Sequence, residues 1–414
     1  MSVVLGVLIF LGFLSIVVED LVHINKAKTT LFFGSLVWIL FYIHPPHELS
    51  PSAIQTALNE NLLDIATLWL FLMAAMTFVA YVSSKGIIDA IIHKVMPHQI
   101  SEKKLMLLVG LSAFVFSSFA DNITATLICI GVLLGLPLAA EKRLRYIVLV
   151  VFAVNAGGVS LITGDVTTLM IFLAGKVAIV DLLLIVGPAL LSVIGLAILL
   201  AWPLQGQVVF ERKTITTSGR DWFISGLFLA TIAATLMFNI LFTIPPVLTF
   251  LFGLSLMFLV VQFLNKDELV LDYIRRIEFD TLLFFLGVLL LVGMLKELGV
   301  LMYFPKLYDL LPTLAANYLI GLLSALFDNV PLTAALLKSG VTMELFEWLS
   351  LTYAVGVGGS LLVIGSAAGV VAMSKVESLS FLRYLKFFVH LLVAYSLGFA
   401  AVLAMAWLVS SVNG

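Results

Sequence analysis

The sequence predicts an all-α, polytopic membrane protein built as an inverted repeat, with two re-entrant hairpins and two glycine-broken helices. Three observations predict it. The first is composition: of 414 residues, 62% are hydrophobic and 11% are charged, where about 25% charged is usual in a soluble domain. A globule covers its surface with polar groups, and this chain lacks enough of them to face water. The second is the placement of positive charge between apolar runs. The third is a similarity between the two halves of the chain. A net charge of −2 gives no electrostatic case for nucleic acid as a partner. The single cysteine, Cys129, excludes an intramolecular disulfide framework and a multi-cysteine metal site.

A membrane-spanning helix needs about 20 apolar residues. Ten crossings are expected, near 3–18, 28–43, 62–83, 146–175, 182–203, 221–243, 247–264, 279–297, 350–374 and 387–410. The first could pass for a signal peptide. It has no Lys or Arg before it, and Glu19-Asp20-Leu21 after it is no small-residue cleavage site, so it reads as a retained helix. The segments 146–175 and 350–374 carry glycine clusters that break a helix. Two further apolar segments, 105–138 and 314–337, hold an Asp-Asn pair at or near the middle and read as hairpins that return to the side they left. The expected organisation is two N-terminal helices over 1–61, a first repeat over 62–203, connecting loops and two helices over 204–278, and a second repeat over 279–414.

Loop charge tests this count, since Lys and Arg gather on the cytoplasmic side. With the N-terminus outside, the inner loops receive Lys26, Lys28, Lys85, Lys94, Lys103, Lys104, Lys142, Arg143, Arg145, Arg212, Lys213, Arg220, Lys266, Arg275, Arg276, Lys375, Arg383 and Lys386. The outer side receives Lys176, Lys296, Lys306 and Lys338. The split is 18 to 4 over all 22 cations, and it requires both hairpins to return to their starting side. Both termini are then periplasmic.

Three motifs recur in the same order. Thr67-Leu68-Trp69-Leu70-Phe71-Leu72 resembles Thr281-Leu282-Leu283-Phe284-Phe285-Leu286. Ala120-Asp121-Asn122-Ile123-Thr124-Ala125-Thr126 resembles Phe327-Asp328-Asn329-Val330-Pro331-Leu332-Thr333. Ala153-Val154-Asn155-Ala156-Gly157-Gly158, followed by Gly164, resembles Ala354-Val355-Gly356-Val357-Gly358-Gly359, followed by Gly365. The offsets are 214, 207 and 201. The charge count sends the helix at 62–83 inward and that at 279–297 outward, so the copies are inverted. Inverted repeats with broken helices are the architecture of secondary transporters, whose site lies near the bilayer midplane.

Asp121-Asn122 and Asp328-Asn329 stand at the hairpin tips. An Asp there can simply cap the returning half-helix, yet ionisable groups at membrane depth are costly and point to function. In the run from Asn155 to Thr168, glycines permit unwinding, and unwinding frees carbonyl oxygens. Asp165 adds charge; Asn155, Thr163, Thr167 and Thr168 add neutral oxygens of the kind hard cations prefer. The simpler alternative is that the glycines allow close packing and the Thr hydroxyls bond back to their helix. In the second copy Ser366 stands at the place of Asp165 and Gly356 at that of Asn155, with Ser360 and Ser366 left as oxygen donors. Asp121, Asp165 and Asp328 are the candidate carboxylates. No Lys or Arg falls in the middle of a span, so a site of three acids and no base suits a small cation, a proton, or both. His390 reads as a packed residue, with His93 and His98 as unspecific pH sensors. Glu60, Asp64, Glu278 and Asp280 fall at span ends. No P-loop is present to drive transport with ATP.

Taken together, Ser118-Phe119-Ala120-Asp121-Asn122-Ile123-Thr124-Ala125-Thr126, the run from Asn155 through Asp165 to Thr168, Phe279-Asp280-Thr281 through Gly287, and Phe327-Asp328-Asn329-Val330-Pro331 resemble the NhaD-type sodium/proton antiporters of the ion-transporter superfamily. The resemblance covers about 60–400. It implies exchange of Na⁺, and of Li⁺, for H⁺ in a bacterial inner membrane, in the service of alkali and salt tolerance, by a homodimer that needs no cofactor. The ion ligands it marks out are Asp121, Asn122, Thr126, Asn155, Asp165, Thr167, Thr168, Asp328, Asn329, Ser360 and Ser366, with Asp121, Asp165 and Asp328 as the Na⁺-binding carboxylates. Dicarboxylate symporters of that superfamily carry Ser-Asn-Thr at the tips, where this chain has Asp121-Asn122-Ile123 and Asp328-Asn329-Val330, which favours cation exchange over carboxylate uptake. Arsenite exporters share acidic hairpins, and a permease of the same superfamily for arsenite or a dicarboxylate remains the alternative. An intramembrane aspartyl protease also uses paired buried acids, but its Tyr-Asp and Gly-x-Gly-Asp signatures are missing, and proteolysis would not explain an inverted repeat. The expectation is a transporter and not an enzyme.

Overall fold

A computed structural model describes residues 2–17, 24–45, 50–95, 97–210, 217–266, 268–326, 328–376 and 378–413. The expectations for Glu19, Asp20, Arg212, Lys213 and Phe327, and for the side chain of His93, fall outside the described residues.

Helices α1 (Ser2–Val17) and α2 (Lys26–Ile43) come first. Helix α3 (Pro51–Ser84) is followed by α4 (Ile87–Val95) and strand β1 (Gln99–Ser101). Helices α5 (Glu102–Phe119) and α6 (Asn122–Leu134) flank Asp121. Helices α7 (Ala140–Gly158) and α8 (Val166–Leu173) flank an irregular stretch. Next come α9 (Ile179–Ala201), strand β2 (Gln207–Val209), α10 (Gly219–Phe242), α11 (Pro246–Leu264), α12 (Leu271–Arg275) and α13 (Phe279–Glu297). The chain continues through α14 (Tyr303–Leu310), α15 (Thr313–Ser324), α16 (Asn329–Lys338) and α17 (Leu345–Gly358). It ends with α18 (Ala367–Lys375), α19 (Phe381–Leu385) and α20 (Phe388–Asn413).

Among the described residues seven helices are long and apolar enough to cross a membrane: α2, α3, α9, α10, α11, α13 and α20. The chain is a multi-pass membrane protein. The other expected crossings are α1, which is shorter, and the pairs α7–α8 and α17–α18, each interrupted where the glycines fall. Helix α3 starts earlier than its apolar run, because Ser50 caps it through Ala53 N–H (3.2 Å) and Pro51 suits a first turn. At 1.5 Å per residue its 34 residues reach about 51 Å, longer than a hydrocarbon core of about 30 Å.

The contacts divide the chain into two compact units. One comprises 66–102 and 205–279. Here β1 and β2 pair antiparallel, Ile100 opposite Val208, and α10 packs on α11. Phe71 meets Phe250 and Phe78 stacks on Phe228, with ring centroids 4.5 and 5.1 Å apart. At one end of the unit Lys85 Nζ donates to Glu268 Oε1 (2.5 Å), Tyr273 donates to the same carboxylate, and Tyr81 donates to Asp221 (3.0 Å).

The other unit comprises 1–65, 103–204 and 280–414. Its centre is formed by α7 and α17, whose residues 146–158 and 348–358 are buried on every face, as expected of helices that are apolar all round. The two helices contact each other. Helix α15 lies along α17, and α9 packs against α7 and α20. The glycines explain the close approach. A Cβ at Gly157 would stand 2.1 Å from the Phe114 carbonyl oxygen, and one at Gly358 the same 2.1 Å from that of Gly321. Hydroxyls bind the same layers: Ser117 donates to the Val154 carbonyl (2.6 Å) and Ser324 to that of Val355 (3.1 Å). Both pairs of contacts recur at the offsets of 207 and 201 seen in the sequence. Helix α6 packs on α18 as well as on α7, and α16 packs on α8.

Candidate functional site

The site residues lie in the larger unit, around the end of α7, the start of α8 and the starts of α6 and α16. Asp121, Asp165 and Asp328 occupy N-cap positions there, and the first two behave differently. Asp121 Oδ1 accepts the N–H groups of Ile123 and Thr124 (3.0 Å each), and its Oδ2 accepts the Thr124 hydroxyl (2.7 Å). It caps α6, with its acceptors engaged in satisfying a helix end. Asp165, 8% exposed, precedes α8 but makes no capping bond; the Val166 and Thr167 N–H groups are near without reaching hydrogen-bond geometry. Its Oδ2 accepts the Thr167 hydroxyl, and its Oδ1 is directed to Asn122.

The Asn122 amide has two orientations of equal shape, and its neighbours choose between them. In one, Nδ2 stands 3.4 Å from both Asn155 Oδ1 and Asp165 Oδ1, while Oδ1 faces acceptors. Turned over, Nδ2 donates to the Val154 carbonyl (2.9 Å), the Gly164 carbonyl (3.0 Å) and Ser117 Oγ (2.8 Å). The second orientation satisfies the amide. It places the Asn122 oxygen 3.4 Å from the side-chain oxygens of both Asn155 and Asp165. Asn155 cannot turn to relieve this, because its Nδ2 donates to Val151 O (2.7 Å) and to Ser366 Oγ (3.1 Å). Oxygens spaced so subtend an angle of about 90° at a cation about 2.4 Å from each, the geometry of hard-cation coordination. A proton on Asp165 would bridge the same oxygens.

The remaining candidates fall into groups. The buried hydroxyls of Ser160 and Thr168 have no partner among the described residues; Thr168 lies one turn from Asp165. Thr126 and Thr333 bond back to the carbonyls of Asn122 and Asn329 (2.7 and 2.8 Å), as the simpler reading of such hydroxyls foresees. Thr163 donates to Ser118 O (2.8 Å) and Ser360 to Val357 O (2.6 Å). Ser366 caps α18 through Gly369 N–H and also touches Asn155. Gly356, at the place of Asn155, lies against Asp165: a Cβ there would be 3.4 Å from Oδ2.

The three carboxylates are not gathered into one centre; among the described residues no three acidic, His or Cys side chains stand as a metal cluster. The expectation of acids without a base fails at Asp328. Lys26 Nζ lies 3.2 Å from Asp328 Oδ2, with the side chains 15% and 5% exposed. Lys26 is the first residue of α2, and its flexible stem lets the charge reach inward from a helix end. Lys26 and Ser117 are the neighbours that sequence reasoning passed over. Ser117 was discoverable, since Ser324 stands at the matching offset; nothing local marks Lys26.

A family model described as a citrate transporter matches residues 10–356. The Na⁺/H⁺ antiporter NhaD of Alkalimonas amylolytica is 31% identical over 90% of this chain and 83% of its own length. The NhaD antiporter of Vibrio parahaemolyticus is 32% identical over 92% and 99%. Sodium/proton antiporter 1 of Arabidopsis thaliana is 29% identical over 98% and 72%. With helices that span a membrane, an interrupted pair at the core and these relatives along almost its whole length, the chain belongs to the NhaD-type transporters within the citrate-transporter family.

Proposed function

We propose that the protein is a secondary active antiporter that exchanges Na⁺, and Li⁺, for H⁺ across a bacterial inner membrane. The observation that carries this reading is the convergence of the Asn122, Asn155 and Asp165 oxygens at a helix break. Three acceptors without a donor between them repel one another until a cation or a proton enters. Either one neutralises Asp165, so the two compete for one carboxylate. A carrier that changes sides only when neutralised then exchanges one for the other. The relatives named as Na⁺/H⁺ antiporters support Na⁺ and H⁺ as the exchanged ions.

Supporting roles follow. Thr167 orients Asp165, Asn155 is held by Ser366, and Asp121 and Asp328 fix the tips of 105–138 and 314–337 as re-entrant hairpins. An inverted repeat is supported by the recurring contacts Gly157–Phe114 and Gly358–Gly321, and by the reciprocal pairs Asn155–Ser366 and Gly356–Asp165. The side assignments draw support from contacts between distant segments. Asn25 meets Asp280, Lys85 meets Glu268, and Arg145 lies over Phe387, all on the inner side of the charge count. Lys338 meets Asp64, Lys296 meets Glu60, and Lys176 lies over Trp348, all on the outer side. Both termini are then periplasmic. The homodimer implied by the resemblance belongs to the same proposal.

The family description raises an organic anion as substrate. An anion needs donors at the site, and the nearby ammonium, Lys26, is engaged with Asp328. The test is reconstitution in liposomes with an internal pH dye. Under an imposed proton gradient, Na⁺ and Li⁺ should move protons, and citrate and arsenite should not. Uptake of citrate without Na⁺-driven proton movement would overturn the reading.

A further inference from the structure

The two hairpin aspartates occupy matching positions but are served differently. Asp121 receives two backbone N–H groups and the Thr124 hydroxyl. The residue that matches Thr124 is Pro331, which has neither an N–H nor a hydroxyl. Asp328 Oδ1 is consequently left with one N–H, that of Val330 (3.2 Å), and Oδ2 receives nothing from its own helix. Lys26 Nζ supplies the missing partner at 3.2 Å, itself lying 4.6 Å from the Phe284 ring centroid. A buried carboxylate with open acceptor capacity is a place for a cation, and removing one partner of such a pair leaves an uncompensated charge.

We propose that Lys26 is a tethered cation that occupies, at Asp328 Oδ2, the position a second alkali ion would otherwise take, and so limits the carrier to the one transported cation at Asp165. This rests on the antiport reading and names a residue that sets how many ions it carries. Asp328 also interacts electrostatically with Asp165, so the ammonium shields the transport site from a second negative charge. The cost of holding Lys26 there is justified by selectivity: a covalently attached cation cannot leave with the cargo.

Ligand-linked melting of the purified full-length protein at alkaline pH counts the ions, because the stabilisation per decade of Na⁺ scales with the number bound. The parent and Lys26→Arg should show the same slope against the logarithm of Na⁺ concentration. Lys26→Gln should show a slope about twofold steeper. Lys26→Gln with Asp328→Asn, in which both charges are gone, should return to the parental slope. A parental slope in folded Lys26→Gln overturns the proposal. If Lys26→Gln does not fold, Asp328→Asn decides. It takes the Asp328 carboxylate away from the ammonium and should weaken Na⁺ about tenfold or more; adding Lys26→Gln should restore the affinity, and no restoration overturns the proposal. A parent without Na⁺-dependent melting or proton movement sinks the antiport reading instead, which separates the two failures.

Discussion

Replacing Asp165 by Asn keeps the shape of the site and removes its charge. A cation seated among the three oxygens would lie about 2.4 Å from Asp165 Oδ1. At an effective dielectric constant of about 20, that contact is worth about 7 kcal/mol. The loss on substitution is smaller, because an amide oxygen still coordinates. If one third of it is lost, about 2 kcal/mol, the Na⁺ half-saturation rises about 30-fold. The pH dependence should vanish as well. If protons hold Asp165 in the parent in acid and are displaced as pH rises, apparent Na⁺ affinity should strengthen with pH and then level off. Asn cannot titrate, so whatever Na⁺ affinity remains should be flat with pH. Proteoliposomes with an internal pH dye, titrated with Na⁺ at several pH values, measure both quantities. An Asp165→Asn protein with a half-saturation within about threefold of the parent, or with the parental pH dependence, would place the exchange site elsewhere.

Asp121→Asn should retain Na⁺ affinity, because Asn is an equivalent cap, whereas Asp121→Ala should cost about 1 kcal/mol of stability in a melting experiment. Gly157→Ala should prevent folding or lower the melting temperature sharply, since its Cβ would meet the Phe114 carbonyl at 2.1 Å; Gly131→Ala, with nothing within 4 Å, should be neutral or slightly stabilising by the same assay. In the loops, burial opposes the charges of Lys85 and Glu268, but their mutual hydrogen bond, the bonds to Tyr273 and Asn265 and the attraction of the two charges together outweigh it, holding Lys85 above the usual lysine range and Glu268 below the usual carboxylate range. The stability this pair gives should therefore be present at neutral pH. It should fade as acid protonates Glu268 and, separately, as alkali above the ordinary lysine range discharges Lys85. Melting curves of the parent and of Lys85→Met across that range would differ at neutral pH and converge at both ends.

What could be read from the sequence was whatever is written in local order. Apolar runs of sufficient length became helices, and glycine clusters at 157–158 and 358–359 became breaks, because a residue without a Cβ is required where Phe114 O and Gly321 O press on the backbone. Asp165 was legible as a charge within a break. That Asp121 satisfies its own helix end while Asp165 does not was illegible, because both are followed by N–H groups and only the backbone geometry at each tip decides which can be reached. The Thr hydroxyls divide in the same way: Thr126 bonds to its own helix, Thr167 to Asp165, and the hydroxyl of Thr168 has no partner among the described residues. Lys26 was hidden for a different reason. It is 302 positions from Asp328, and a cation at the head of a helix is what loop charge alone would place there.

The packing of helices distant in the chain bears on how such a protein can be made. Helix α8 rests on α16, and α6 on α18, so neither the N-terminal nor the C-terminal portion can finish packing from its own residues. When the ribosome has released residues 1–204, α8 still lacks α16 and α17, which are more than 150 residues downstream, and α6 has α7 but not α18. The apolar surfaces and the open backbone of 159–165 must wait in lipid, or against the insertion machinery, until the C-terminal portion arrives. Assembly is then expected to be all-or-none at the centre, with early products vulnerable to membrane proteases. The same arrangement permits complementation. Two fragments divided between β2 and α10, synthesised together, should recover the central packing, whereas either one alone should be degraded.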